Sequence, residues 1–511
     1  MAKQVLRLVD GVNIEPQHDE STLDCRLLFM GDRYRQLLRT YPEVIYRLSR
    51  SKTLPEIRDF VNASAEIAQY YEVTATDEKV AVTLRDSIFR EAVPHSTLDL
   101  HLRVGRRGDW SSYPLTIERL RVLGQLVPLL QGDWSPEEIA GRIETFQDED
   151  RRWAKGLMEL LAAEKFLEEG PAIENAYLKS PARPRTTFVA HTSILLQTAT
   201  TAIVTDPLLR PSLRAPRAAL DAVRLPLSAI CLTHAHWDHC DVQSLLMFDK
   251  TTPVVIPRVY KPTIFNPPMA PVLRLLGFSD IREADPWDRL QLGDVEMILV
   301  PFHGEQDEPG AEIDHYTYVF KTTGLSVYGG VDAFRDTFGE MPAALARVRE
   351  EHRPTVAFLP ISRMEYSVAD GGVNGFCRYV DTNILTKAFQ YTAGPKEAVQ
   401  WIRELDVQTV VPYATFTFNP RATPGEVAEL LTELRSVGLG DRLLPLPTQG
   451  AVEPMDLDGS SRAVRRRRGL QQWFATGAKV SRLDRRLKKN PAYRFARRLV
   501  SGGSTPAAHH H

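Results

Sequence analysis

Cysteine is scarce in this 511-residue chain: four thiols, Cys25, Cys231, Cys240 and Cys377, in no paired spacing. That excludes a disulfide framework. The opening MAKQVLRLVDGV has no basic-then-apolar secretory pattern, so a reducing cytoplasm is the expected setting. No apolar run approaches the roughly 20 residues that a membrane-spanning helix needs. Neither the strand-GxGxxG-helix nor the GxxxxGK[ST] context of a phosphate-cradling loop occurs. With 43% hydrophobic and 25% charged residues, 30 glycines and 35 prolines, the composition excludes collagen-like, low-complexity and wholly disordered chains. At roughly 100–200 residues per domain, the length suits two to four domains with cores of their own. The terminal AAHHH reads as an appended tag and leaves ten of the thirteen histidines to explain.

The formal net charge of −2 hides an asymmetry. Fourteen lysines and arginines fall between Ser460 and Val500, including the run Arg465 to Arg468, against one acid, Asp484. A basic helical tail over 460–501 would attract an acidic partner, because clustered like charges focus a field; a solvated tail helix is the plainer alternative. Nucleic acid is not the expected partner.

Residues 1 to about 110 mix short apolar stretches with charge and carry no recognisable chemistry. From Thr116 the pattern turns helical: Leu120, Leu123, Leu126, Val127 and Leu130 share one face, Gly132 stops that helix, and Ser135-Pro136 with Glu138 opens the next. A third helix follows over about 149–163. The 1–178 region thus ends in a winged-helix-like module at about 115–170, which either grips a partner protein or simply packs. A Pro-rich linker at 179–185 precedes a different texture. Strand runs at Thr187–Ala190, Ile194–Gln197, Ala202–Thr205, Ala229–Thr233, Met297–Pro301, Tyr316–Lys321, Leu325–Tyr328, Thr355–Leu359 and Thr409–Pro412 alternate with helices such as Pro395–Leu405 and Pro424–Val437. Such alternation predicts layered α/β sheets over 186–455.

The chemistry concentrates after the strand Ala229–Thr233, in His234-Ala-His236-Trp-Asp238-His239. Three imidazoles and a carboxylate within six residues of a strand-to-helix turn can converge on metal, since alternate side chains reach one ion and the next pair a second. This HxHxDH run resembles that of the metallo-β-lactamase superfamily, and the resemblance extends over roughly 186–455, through Asp206-Pro207 and Tyr328-Gly-Gly-Val-Asp332. It implies an αββα sandwich in which His234 and His236 serve one metal, Asp238 and His239 the other, and Asp332 bridges them.

Two departures set the branch. Zinc hydrolases of the superfamily place a final histidine after a late strand; here that strand reads Val410-Val-Pro-Tyr413, and no histidine lies between His352 and the tag. At the third site, Pro301-Phe-His303-Gly-Glu305 offers an imidazole and a carboxylate. Glu305 in this PFxGE setting resembles the carboxylate ligand of the di-iron oxygenases, of the kind that β-hydroxylates a carrier-bound amino acid in chloramphenicol biosynthesis. That resemblance implies two iron ions on His234, His236, Asp238, His239, Glu305 and Asp332, O2 as co-substrate, an external electron donor and a carrier-protein-tethered substrate. Ligand chemistry agrees, because hard anionic oxygens stabilise high oxidation states better than added imidazoles do. The alternative is a dinuclear zinc hydrolase of an ester, lactone or phosphodiester, with His303 as ligand and zinc lowering the pKa of water to about 7. A third reading is a non-enzymatic oxygen or redox sensor.

Other residues are weighed beside these. His191 is expected to support or pack against the site more readily than to bind metal. Tyr413 either lines the pocket or serves the core. The loop at Asp370–Gly375 is expected at the sheet ends, where substrate loops lie. Cys240 reads as a small buried residue. The basic tail and the helical module are candidate docking surfaces for an acidic carrier.

Overall fold

The computed structural model describes residues 3–9, 12–18, 21–22, 25–31, single residues and pairs between 33 and 47, 53–75, 80–89, 98–104, 111–172, 181–209, 225–260, 267–302, 315–333, 340–361, 365–367, 379–381, 388–390, 393–414, 423–444 and 454–455. His303, Glu305, the loop at 370–375, Cys377 and the tail at 460–501 lie outside the described residues.

Two sheets face each other across a shared apolar layer. The first runs, in spatial order, Ile281–Ala284, Val254–Pro257, Ala229–Cys231, Ala202–Thr205, Ser193–Gln197, Arg185–Ala190 and Pro454–Met455. Its first four strands are parallel and the remaining pairs antiparallel. The second runs Arg289–Leu292, Val295–Pro301, Tyr316–Thr322, Leu325–Gly329, Val356–Pro360 and Thr409–Tyr413, with parallel pairing only among the last three.

Strand periodicity explains why these runs read as continuously apolar. Alternate side chains leave opposite faces, and both faces of the first sheet are covered. Ile194, Leu196, Ile203, Cys231 and Val255 enter the layer between the sheets, while Leu195, Val204, Ile230 and Val254 enter a second cluster on the far side. Helices Glu340–His352, Pro395–Leu405 and Thr423–Ser436 pack with the second sheet's cluster. The middle one shows the amphipathic rule: Ala398, Trp401, Ile402 and Leu405 are its inward positions at three- and four-residue spacing. The result is the αββα sandwich that the sequence predicts.

The far cluster is built with the N-terminal region, and runs without a break from Leu8 to Phe278. Helix Arg119–Gln131 buries Leu120, Leu123, Leu126, Val127 and Leu130. It lies so close that a Cβ on Gly124 would stand 2.4 Å from the Leu276 carbonyl oxygen. Helices Pro136–Glu144 and Asp148–Ala163 follow, then strand Leu167–Pro171, which pairs antiparallel with Gln4–Leu8. Residues 1–110, blank in the sequence, contribute strands. Val12–His18 lies between Ser21–Thr22 and Leu98–Val104, and Tyr379–Asp381 crosses back to pair with Val80–Leu84. Cys25 reaches Cys240, with their buried sulfurs 3.5 Å apart. Among the described residues no helix is long and apolar enough to cross a membrane.

Helix Val242–Leu246, which follows the histidine-rich turn, ends on a buried lysine. Lys250 Nζ donates to the carbonyls of Leu245 at 2.8 Å, Leu246 at 3.3 Å and Phe248 at 2.6 Å. The three carbonyls at the negative end of the helix hold the Nζ donors, while burial pushes the Lys250 ammonium well below the usual lysine range. Lys250→Met keeps the stem and strands those carbonyls. Its unfolding free energy should fall by about 3 kcal/mol, read from the denaturant midpoint.

Candidate metal centre

Every group of the site sits at one end of the sandwich, where strands finish. Asp206 follows strand Ala202–Thr205, the histidine run follows Ala229–Cys231, Asp332 follows Leu325–Gly329, and Tyr413 ends Thr409–Tyr413. His191 occupies the turn between Arg185–Ala190 and Ser193–Gln197. Four non-glycine residues here adopt left-handed backbone: His191 (φ 49°), Asp206 (φ 35°), Val331 (φ 51°) and Ala414 (φ 55°). Each such position costs of order 1 kcal/mol, and strain of this kind collects where side chains must be aimed.

The histidine run is folded tightly, with the amides of His239 and Cys240 both donating to the His236 carbonyl, at 3.1 and 2.7 Å. That reversal brings His234 Nε2 to 3.0 Å from His236 Nδ1 and the His239 ring centroid to 4.0 Å from that of His234. His239 Nε2 lies 2.9 Å from Asp332 Oδ2 and 3.9 Å from Asp238 Oδ1, and His191 Nε2 is 3.2 Å from Asp238 Oδ2. One ligand atom from each of His191, Asp238, His239 and Asp332 falls within 4.8 Å of the others, and all four residues are buried. A buried set of two imidazoles and two carboxylates is a donor set for a divalent cation, and the His234/His236 pair offers a second position beside it.

Asp206 organises both positions. It is wholly buried. Oδ1 accepts from the Thr233 amide at 2.8 Å, and Oδ2 accepts from Thr233 Oγ1 at 2.6 Å and from His239 Nδ1 at 2.9 Å. Since the Thr233 hydroxyl proton goes to Asp206, its oxygen is left to accept from His234 Nδ1 at 3.0 Å. Each imidazole thereby keeps a proton on Nδ1, and its Nε2 is the nitrogen turned toward the metal positions. The sequence brings Asp206 into view only as part of a strand end; the signal for its role is a carboxylate directly after a buried strand.

Charge follows the same division. Burial, reinforced by His239, His236, His315 and His191 nearby, holds His234 well below the usual imidazole range. For His239, burial opposes the charged form, yet Asp332, Asp238 and the hydrogen bond to Asp206 outweigh it and raise the imidazole well above its ordinary value. Burial likewise opposes ionisation of Asp238, but His239 and the hydrogen bond from His191 keep its carboxyl well below the usual carboxylate range.

His315 is a further buried imidazole that sequence reasoning missed. Its ring centroid is 4.8 Å from that of His234 and 5.2 Å from that of Phe302, which is itself 5.6 Å from His234. The Phe302 amide donates to the His315 carbonyl at 3.1 Å, so the chain leaves and returns beside His234. The intervening residues 303–314, with His303 and Glu305, lie outside the described residues. A histidine just ahead of the apolar strand Tyr316–Thr322 was the available signal. Tyr413, flagged in the sequence, is fully buried and its hydroxyl accepts from the Val331 amide at 2.6 Å, bracing the turn that presents Asp332.

Residues 201–413 match the family described as the Beta-lactamase superfamily domain. A curated relative, the 4-amino-L-phenylalanyl-[CmlP-peptidyl-carrier-protein] 3-hydroxylase of Streptomyces venezuelae, is 26% identical over 126 residues, a stretch covering 24% of this chain and 24% of that protein. The crystal structure of CmlA, a diiron beta-hydroxylase from Streptomyces venezuelae, superposes with a TM-score of 0.57 at 14% identity, covering 88% of this chain and 99% of CmlA. An isothiocyanate hydrolase from Delia radicum gut bacteria matches 53% of this chain and 99% of its own, at 19% identity and a TM-score of 0.37. With the αββα sandwich and the strand-end metal cluster already described, the match places a domain of the β-lactamase superfamily at residues 201–413, on the metallo-β-lactamase fold.

Proposed function

We propose that this chain is a non-haem di-iron oxygenase that hydroxylates a small substrate held on a carrier protein, with an aminoacyl group as the tethered moiety. The observation that carries the reading is the make-up of the buried centre. Its second position is rich in carboxylate, through Asp238 and Asp332, and the sequence offers a third carboxylate, Glu305, for the first. The fold shared with CmlA over 88% of this chain, N-terminal region included, supports the same reading. So does the activity of the Streptomyces venezuelae relative, a 3-hydroxylase of a peptidyl-carrier-protein-bound 4-amino-L-phenylalanyl group.

In this reading His234, His236 and Glu305 hold one ion and Asp238 and His239 the other, with Asp332 between them. Iron bound there would supply the activation of dioxygen with electrons from an external donor. The protein's part is to aim and insulate. Asp206 and Thr233 fix the tautomers of His239 and His234, Tyr413 braces the Asp332 turn, and Phe302 and His315 wall the His234 side with apolar and uncharged surface. The basic segment 460–501 suits an acidic carrier by charge, and the helical module is a second candidate docking surface.

Protein grown without added zinc should contain about two irons per chain, with a near-ultraviolet charge-transfer shoulder that bleaches on anaerobic reduction. An aminoacyl-loaded carrier protein, given reductant and O2, should gain one oxygen atom by mass. Two zincs and a featureless spectrum would overturn the oxygenase reading in favour of the dinuclear zinc hydrolase with His303 as ligand.

A further inference from the structure

We infer that His191 is a ligand of the second metal ion, filling the place that Tyr413 leaves without an imidazole. The inference rests on the dinuclear reading of the centre, and holds whether the ions are iron or zinc.

Three observations carry it. The first is convergence. His191 Nε2 lies 3.2 Å from Asp238 Oδ2, its ring meets that of His239 edge-on with centroids 5.1 Å apart, and its ligand atom shares a 4.8 Å neighbourhood with those of Asp238, His239 and Asp332. A cation at the centre of such a group is within coordinating reach of four donors, the number that closes a tetrahedral shell. The second is the backbone. The carbonyl of His191 accepts from the Ala414 amide at 3.0 Å, directly after Tyr413. The turn that carries His191 is therefore stitched to the end of the late strand, and an imidazole from either segment addresses the same space. Tyr413 spends its hydroxyl on the Val331 amide at 2.6 Å, which leaves His191 as the imidazole on that side. The third is local strain. His191 has φ 49°, a conformation glycine adopts freely, in a turn where the ladder register shifts at Ser193 and Ile194. The turn's geometry would be met more cheaply without a side chain, whereas this one is 1% exposed and aimed among metal-competent groups.

A group that merely holds Asp238 by a hydrogen bond would occupy the same position, and the experiment separates the two roles. The full-length protein and its His191→Ala and His191→Gln variants are stripped of metal, titrated anaerobically with Co2+ alone, and assayed for bound cobalt and for visible d–d absorption. Glutamine can still donate to Asp238 but offers no imidazole. The unaltered chain should bind two cobalt ions. Both variants should keep one and bind the second at least tenfold more weakly, about the lower bound for disturbing a metal's support, with the d–d band of the second ion altered. Full retention of both ions in His191→Gln would overturn the ligand role. Should neither variant fold, the cobalt-loaded unaltered protein decides by anomalous diffraction: an ion about 2.1 Å from His191 Nε2 supports ligation, and one beyond hydrogen-bond distance overturns it. Fewer than two cobalts in the unaltered chain would instead bring down the dinuclear reading itself, a result distinct from failure of the variants.

Discussion

With Glu305 replaced by alanine, hydroxylation should fall by about a thousandfold, some 4 kcal/mol of transition-state stabilisation, and one iron should be lost, while His303→Ala keeps both irons and turns over. The reasoning is a charge count in a buried place. Two divalent ions bring four positive charges. His234 and His236 are imidazoles, and burial with its imidazole neighbours keeps His234 uncharged. Asp238 and Asp332 return two negative charges, and Asp206, behind the ligands on Thr233 and His239, a third. Glu305 brings the centre to balance, and an imidazole from His303 in its place would leave one positive charge uncompensated where water cannot screen it. The loop that carries both candidates starts at Phe302 and ends at His315, and both of those rings stand against His234. Which of the two serves the first ion is a question of chemistry. Metal analysis of the two variants beside a carrier-bound product assay reads the choice. Metal loss at His303→Ala with Glu305→Ala unaffected would mark a hydrolase.

What the sequence disclosed about this site follows its locality. His234, His236, Asp238 and His239 are neighbours in the chain, and the reversal that turns them onto two positions is made by amides only three and four residues apart, donating to His236. The strands disclosed themselves because both faces of the first sheet are buried, so runs such as Ser193–Gln197 are apolar at nearly every position. Asp206 and His191 were harder, because each reaches the centre only through strand pairing that closes dozens of residues of chain. His315 was missed for a related reason: it lies at the far mouth of a loop whose near mouth carried the recognisable motif. The N-terminal region was opaque for a different physical reason. Its sheets borrow distant partners, as when Val80–Leu84 pairs with Tyr379–Asp381, and its apolar positions complete a core that extends into the metal domain. Such a segment has no pattern complete in itself.

Asp206→Asn should be the most damaging isosteric change in the chain, because one carboxylate sets the proton positions of a ligand of each ion. The Thr233 amide requires an acceptor at Oδ1, at 2.8 Å, so the asparagine must place its NH2 where Oδ2 stood. That group donates to what were donors. His239 Nδ1 then faces a donor as well as the Thr192 hydroxyl at 3.2 Å, which favours its proton on Nε2, where Asp332 Oδ2 lies 2.9 Å away. The Thr233 hydroxyl, now accepting, turns its proton toward His234 Nδ1 at 3.0 Å, and that ring flips its tautomer too. Both Nε2 lone pairs that faced the metal positions are converted into N–H groups. Affinity for each ion should drop by about 10–100-fold, while a fold of unchanged shape keeps its circular dichroism; equilibrium dialysis against Co2+ or Fe2+ measures the loss. pH supplies a second readout. In the metal-free protein His239 holds a proton well above the usual imidazole range, chiefly against the cost of burial and through Asp332, Asp238 and Asp206. Loading the second position must expel that proton, so affinity in the unaltered chain should rise about tenfold per pH unit while His239 remains protonated, and level off above its raised pKa. In Asp206→Asn the lost carboxylate lowers that pKa, and the plateau should begin at lower pH. A plateau that stays in place, with metal affinity intact, would show that Asp206 does not govern the imidazoles it touches.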